Sequence, residues 1–179
     1  MKLDFGCGPN KREGFTGVDA LPFDGKVDIV ADINAPGFWD RFEKDSIEEA
    51  HASHFLEHLT APQRCAFMNG LWRVLKPGAQ VTIIAPHWAS NRAYGDPTHQ
   101  WPPVSEMWFF YLNREWRRDN APHTDAAHWP PGFACDFTAT WGYNLHPALG
   151  SRNLEYQQHA ISWLKEAAQD TVATLTKRE

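Results

Sequence analysis

The sequence predicts an α/β fold built on a mostly parallel sheet. Three observations carry this. Short apolar runs of strand length alternate with Gly, Pro and Asp punctuation through the first 85 residues. A capped helical pattern separates the last two of those runs, and the C-terminal stretch returns to a helix followed by strict alternation.

The first five runs lie at 2–5, 15–18, 27–31, 47–53 and 80–85. The helix before the fifth opens on Thr60-Ala61-Pro62-Gln63, a capping box with Pro in the first turn. Its apolar stripe is Cys65, Met68, Leu71 or Trp72, and Leu75, and Pro77-Gly78 is the expected stop. A shorter helix over 36–44 would bury Phe38 and Phe42. Residues 86–150 differ: they hold six of the nine Trp and eight of the 13 Pro, with little periodicity. One helix is expected there, starting near Ser105 and carrying Met107, Trp108, Phe110 and Tyr111. So long a segment in a compact domain predicts a partly ordered cap, its aromatic residues either walling a pocket or filling a loop-rich core. A strand at 133–143, a helix at 153–167 and a strand at 171–177 complete the reading, with Val172, Thr174 and Thr176 alternating against Ala173 and Leu175.

At roughly 100 to 200 residues per domain, 179 residues make one domain. With 17 Lys and Arg against 22 Asp and Glu the net charge is −5, which disfavours a general binder of nucleic acid or anionic membranes and favours a small substrate. Cys7, Cys65 and Cys135 form no disulfide framework and no CxxC pair, which suits a reducing compartment. No run of 18 apolar residues and no apolar stretch of signal length occur, so a cytoplasmic protein is expected.

The first run is followed directly by Asp4-Phe5-Gly6-Cys7-Gly8. Glycines there admit a ligand close to the backbone, and the turn amides bind carboxylate or phosphate. A dinucleotide GxGxxG pattern needs a third Gly where this chain has Lys11, so a nicotinamide cofactor loses ground. Asp19 ends the second run and Asp32 the third. Each alone reads as an ordinary loop residue, but two acids at successive strand ends beside a glycine turn line the crevice in which a nucleoside sits.

Asp4-x-Gly6-x-Gly8, Gly17-Val18-Asp19, Ala31-Asp32, His54-Phe55-Leu56-Glu57-His58-Leu59 and Leu71-Trp72-Arg73-Val74-Leu75-Lys76-Pro77-Gly78 resemble, in order, the class I S-adenosylmethionine-dependent methyltransferases. The likeness is to the type 11-like branch with "LEHL" and "RVLKPGG" segments; Ala79 stands where the second Gly is usual. It covers residues 1–86, and Asp96-Pro97-Thr98-His99 adds a looser likeness beyond them. The resemblance implies a Rossmann-like, mostly parallel seven-stranded sheet with an antiparallel last strand in one domain: 1–85 for the cofactor, 86–150 for cap and substrate, 151–179 as the last helix and strand. It implies S-adenosylmethionine as cofactor, S-adenosylhomocysteine as product and a small-molecule acceptor. Asp4, Gly6 and Gly8 would frame the methionine portion, Asp19 the ribose hydroxyls, Asp32 and Ile33 the adenine edge, and His54 would lie near the sulfonium.

Two departures stand out. The segments 8–16 and 21–26 are too short for the usual helices between strands 1 and 2 and strands 2 and 3. Eight extended residues still span about 26 Å, enough to return to the same sheet edge. The trimmed flank is expected to leave one sheet face for the aromatic insert or a second subunit in a homodimer to cover.

Methyl transfer from a sulfonium is an in-line displacement that depends on proximity and desolvation, and a base is needed only when the acceptor carries a proton. His87, just past the fifth run, and His99, with Asp96 to orient it, are the candidate bases. His51, His54 and His58 look like a metal cluster, but His51 should lie within a strand and His58 beyond it, so their side chains need not converge and no metal ligand is assigned. Arg114, Arg117 and Arg118, interleaved with Glu115 and Asp119, read as a solvated helix end. Neither an Asn/Asp-Pro-Pro-aromatic nor a Pro-Cys segment follows the fourth run, which disfavours DNA-base methylation. Two alternatives remain: a cofactor-binding regulatory or assembly protein without transfer activity, and a nicotinamide-dependent oxidoreductase.

Overall fold

The computed structural model describes residues 1–124, 126 and 132–179. Strands β1 (Lys2–Phe5), β2 (Thr16–Asp19), β3 (Ile29–Val30), β4 (Ile47–Ser53), β5 (Leu75–Pro86), β6 (Phe137–Leu145) and β7 (Ala168–Lys177) form one sheet in the order β3-β2-β1-β4-β5-β7-β6. The pairs from β3 to β5 are parallel, and β7 runs antiparallel to both β5 and β6. The order reverses between β1 and β4, so the crevice outside their carboxyl ends is the natural ligand position of such a sheet.

Helix α1 (Ala61–Val74) starts as its capping box requires, with the Thr60 amide donating to Gln63 Oε1 at 2.8 Å. It ends earlier than Pro77-Gly78: Leu75 already pairs with Ile47, so β5 begins before the proline and an irregularity in the β4 register absorbs the turn. Its buried face is Arg64, Phe67, Met68, Leu71 and Val74. Where the expected helix over 36–44 would lie there is a single 3₁₀ turn, Phe38–Arg41, which still buries Phe38 and Phe42. Its Trp39 ring rests on Gly70 of α1, where a Cβ would approach within 2.2 Å of the ring. The cap contains α2 (Arg92–Gly95), α3 (Glu106–Phe110) and α4 (Arg114–Asn120). In α3 the buried side chain is Phe109, while Met107 and Phe110 are exposed. Residues 125 and 127–131 of the cap, Trp129 among them, lie outside the described residues. Helix α5 (Leu154–Trp163) follows β6, with Asn153 Oδ1 accepting from the Tyr156 amide at 2.9 Å.

The trimmed flank is real: only a 3₁₀ turn, Phe23–Gly25, lies between β2 and β3, and no helix lies between β1 and β2. The sheet is accordingly two-faced. One face carries the rows Val18, Phe5, Ala52, Ile83, Ala173, Trp141 and Leu3, Ala50, Val81, Leu175, Ala139. The other carries Asp4, His51, Thr82, Thr174, Thr140 and Lys2, Glu49, Gln80, Thr176, Thr138. α1 covers the apolar face, with Phe67 edge-on to Phe5 at 5.1 Å, and so does the aromatic segment, with Phe109 stacked 5.9 Å from Trp141. The described residues of the insert therefore pack on the apolar face and not on the trimmed one. That face stays wet because its residues are polar, unlike the doubly buried strands usual in parallel sheets. The 6–15 loop folds over it. Phe15 lies edge-on to His51, and Lys2 and Arg12 sit over the Phe15 ring.

Arg117 departs from the expected solvated helix end. It is 5 % exposed and donates to the Tyr111 and Cys135 carbonyls, strapping α4 to the start of β6, while Arg118 pairs with Asp119. No helix among the described residues is long and apolar enough to cross a membrane.

Candidate active site

A cavity of about 530 Å³ opens at the β1/β4 switch point, lined by Gly6, Gly8, Asp19, Asp32, Ile33 and His54 together with apolar walls that include Leu21, Phe55 and Leu59. Six of the seven sequence-predicted cofactor residues thus meet in one place. Its size falls within the range of small-molecule sites.

The turn after β1 is built for close approach. Gly6 has φ +64°, and a Cβ there would lie 2.5 Å from the Phe55 ring, so the residue is glycine for both conformation and space. The Gly8 amide donates to Asp19 Oδ2 at 2.9 Å and the Leu21 amide to Asp19 Oδ1 at 3.0 Å. Each carboxylate oxygen has a second lone pair, which leaves Asp19 able to accept two further hydroxyls. Asp32 Oδ1 accepts from the Asn34 amide at 2.8 Å and its side chain at 3.1 Å, an Asx turn that presents the carboxylate at the rim. Cys7, between the glycines, is buried, and burial followed by the charges of Asp4 and Asp19 pushes its thiol up to about 11.

Asp4 stands apart from the cavity. It is 3 % exposed on the opposite side of the turn, taking the Arg12 amide on Oδ2 at 2.8 Å and the His51 ring on Oδ1 at 2.7 Å. It shapes the loop that carries Gly6 and Gly8.

His54 follows β4 with φ +51°, held by its amide donating to the Ile84 carbonyl at 2.8 Å. Its Nδ1 lies 3.2 Å from Glu57 Oε1 and its Nε2 3.9 Å from Asp170 Oδ1. The neighbouring Glu57 carboxylate raises its pKa above the ordinary 6.5 against an opposing burial effect. Asp170 is itself held by Arg92 Nη1, 3.2 Å from both oxygens, and by Asn144 Nδ2 at 3.3 Å. Glu57 and Asp170 were not anticipated. The His54-x-x-Glu57-His58 spacing was a signal for the first, whereas Asp170 comes from the far end of the chain and had none.

The two candidate bases are placed differently. His87 is 1 % exposed; its Nδ1 accepts the Ala89 amide at 3.2 Å, so its Nε2 donates to Glu106 at 3.0 Å, and both nitrogens are engaged. His99 Nδ1 donates to the Ala93 carbonyl at 3.2 Å, its Nε2 lies 4.0 Å from Asp96 Oδ2, and its ring meets His58, a wall of the cavity, at 4.8 Å. The suspected trio His51, His54 and His58 does not form, because His51 points to the polar face and pairs with Asp4.

No protein-family model matches the chain, and no curated protein matches it. Solved structures do. One from Archaeoglobus fulgidus, described as a SAM-dependent methyltransferase, superimposes with a TM-score of 0.68 at 18 % identity, over 98 % of this chain and 85 % of its own. A Methanosarcina mazei protein described in the same terms gives 0.52 at 16 %, over 99 % and 92 %. The 1,6-didemethyltoxoflavin-N1-methyltransferase of Burkholderia thailandensis, solved with 1,6-didemethyltoxoflavin and S-adenosylhomocysteine, gives 0.55 at 14 %, over 99 % and 71 %. With its strand order, its antiparallel β7 and these likenesses, the chain has the fold of the S-adenosylmethionine-dependent methyltransferases.

Proposed function

We propose that the protein binds S-adenosylmethionine in the switch-point cavity and transfers its methyl group to a small-molecule acceptor by in-line displacement. The observation that carries this is the convergence of Gly6, Gly8, Asp19, Asp32, Ile33 and His54 on one cavity in a methyltransferase fold. The residues fit the cofactor. Asp19 offers two lone pairs for ribose hydroxyls, Ile33 and Leu59 offer apolar walls for adenine beside Asp32, and Gly6 leaves room for the methionine arm. When bound, the cofactor supplies an electrophilic methyl group on a sulfonium. The chain's own contribution is alignment and exclusion of water, with the acceptor approaching from the side where His54 faces Asp170 and Arg92.

The "LEHL" and "RVLKPG" segments support placement in the type 11-like branch, and the net charge of −5 supports a small acceptor over nucleic acid. The unpaired cysteines suit a cytoplasmic location. The test is a panel of phenol, amine, thiol and carboxylate acceptors incubated with protein and S-adenosylmethionine, with S-adenosylhomocysteine read by mass spectrometry. Acceptor-dependent product that is lost in Asp19→Ala is expected. Cofactor binding without turnover across the panel would instead favour a non-catalytic cofactor-binding protein.

A further inference from the structure

We propose that Glu57, His58 and His99 form a binding site for one divalent transition-metal ion of the zinc type at the rim of the cavity. One ligand-type atom from each lies within 4.8 Å of the other two, and this is the grouping that meets that condition among the described residues. A tetrahedral ion at about 2.0 to 2.1 Å from each ligand holds its ligands roughly 3.4 Å apart, so side-chain rotation closes the site.

The carboxylate is the second, independent observation. The Glu57 side chain is 5 % exposed, and neither Oε1 nor Oε2 takes a hydrogen bond among the described residues. His54 Nδ1, at 3.2 Å, is an ion-pair neighbour outside hydrogen-bond geometry, and the Arg64 guanidinium is spent on the Leu56, Gln100 and Pro102 carbonyls. A buried carboxylate without hydrogen bonds costs free energy that the His54 charge offsets only in part, and a bound cation would complete it.

The two imidazoles are set in the ligating tautomer. Thr98 Oγ1 donates to Asp96 Oδ1 at 2.7 Å, so it accepts from His58 Nδ1 at 3.0 Å, which leaves His58 Nε2 with a bare lone pair. A carbonyl only accepts, so His99 Nδ1 carries the proton given to Ala93, and His99 Nε2 is bare as well. This is the outer-shell pattern of metal-bound histidines, each donating its second nitrogen to a fixed oxygen. The two chain segments are stapled together by Arg64 and by the Gln100 amide donating to the Glu57 carbonyl at 2.7 Å. Two imidazoles and one carboxylate select zinc, iron(II) or cobalt(II) over magnesium or calcium and leave one position open to water or a substrate oxygen. His99 then serves as a ligand and not as a base.

The experiment uses the tag-free full chain, stripped with chelator and titrated with Co²⁺ by visible absorption and with Zn²⁺ by calorimetry, without S-adenosylmethionine. One equivalent per chain, bound at micromolar Kd or tighter, is expected. Glu57→Gln and His99→Ala should each weaken binding at least tenfold, and Thr98→Val, which removes only the oxygen orienting His58, about tenfold. Circular dichroism checks each variant's fold, and the partly exposed His99 keeps the test open should Glu57→Gln fail to fold. No binding to the folded wild type, or binding that His99→Ala and Thr98→Val leave unchanged, would overturn the site. Because no cofactor is present, either result is independent of methyl transfer.

Discussion

Asp19 Oδ2 accepts the Gly8 amide at 2.9 Å, tying the end of β2 to the glycine turn that follows β1. One carboxylate therefore sets the shape of the turn and faces the cavity that the turn lines. The missing helix between β1 and β2 makes this bond more important, since no helix N-terminus is there to organise the loop.

Asp19→Ala is expected to weaken S-adenosylmethionine binding by about 1 to 3 kcal/mol, or roughly 5- to 150-fold, through lost charge-assisted hydrogen bonds. Calorimetric titration reads it directly. Unchanged affinity would remove Asp19 from the ribose.

Gly6→Ala places a Cβ 2.5 Å from the Phe55 ring at φ +64°, and Phe55 is itself packed on Phe67 at 5.3 Å and has little room to yield. A loss of about 1 to 3 kcal/mol in stability is expected, with weaker cofactor binding because Phe55 also lines the cavity. Denaturant melts of the two proteins decide it.

Arg64 is 1 % exposed and gives its guanidinium to three carbonyls, those of Leu56, Gln100 and Pro102. Arg64→Ala strands all three and loosens the cap from the β4–α1 turn. A loss of about 3 kcal/mol or more is expected in chemical denaturation; a loss under about 1 kcal/mol would mean that water replaces the strap.

Glu106 gives a pH signature. Burial is the largest single effect and works against its charge, but the hydrogen bonds from His87, its own backbone and Tyr143 together outweigh it and hold the carboxyl below its ordinary 4.5. A depressed acid stabilises the fold above its unfolded value and loses that contribution as pH falls through the folded one. Glu106→Gln should therefore cost about 1 kcal/mol at pH 7, with the gap between the two proteins narrowing as pH falls below about 4.5. A gap independent of pH from 7 to 3 would contradict the pairing.

Much of this was legible in the sequence because local chemistry fixed it. Glycines at 6 and 8, acids ending successive strands and the Thr60 to Gln63 box each dictate a conformation within a few residues. The start of β5 was hidden because Lys76-Pro77-Gly78 reads as a helix stop, while the Leu75 to Ile47 pairing that claims the segment is tertiary. Arg117 looked solvated because its neighbours are charged, yet its acceptors, the Tyr111 and Cys135 carbonyls, lie in the turn after α3 and just before β6, and helical spacing does not show that α4 packs on them. The one-sided sheet was written in the alternation of Lys2 and Asp4, Glu49 and His51, Thr174 and Thr176 against apolar partners, but it needs the strand register to be read as a single face.

Titration of the purified chain with S-adenosylmethionine and, separately, with S-adenosylhomocysteine tests the central claim most directly. The account predicts saturable one-to-one binding of at least one of them in the micromolar range, about −8 kcal/mol. A folded sample that binds neither would contradict it.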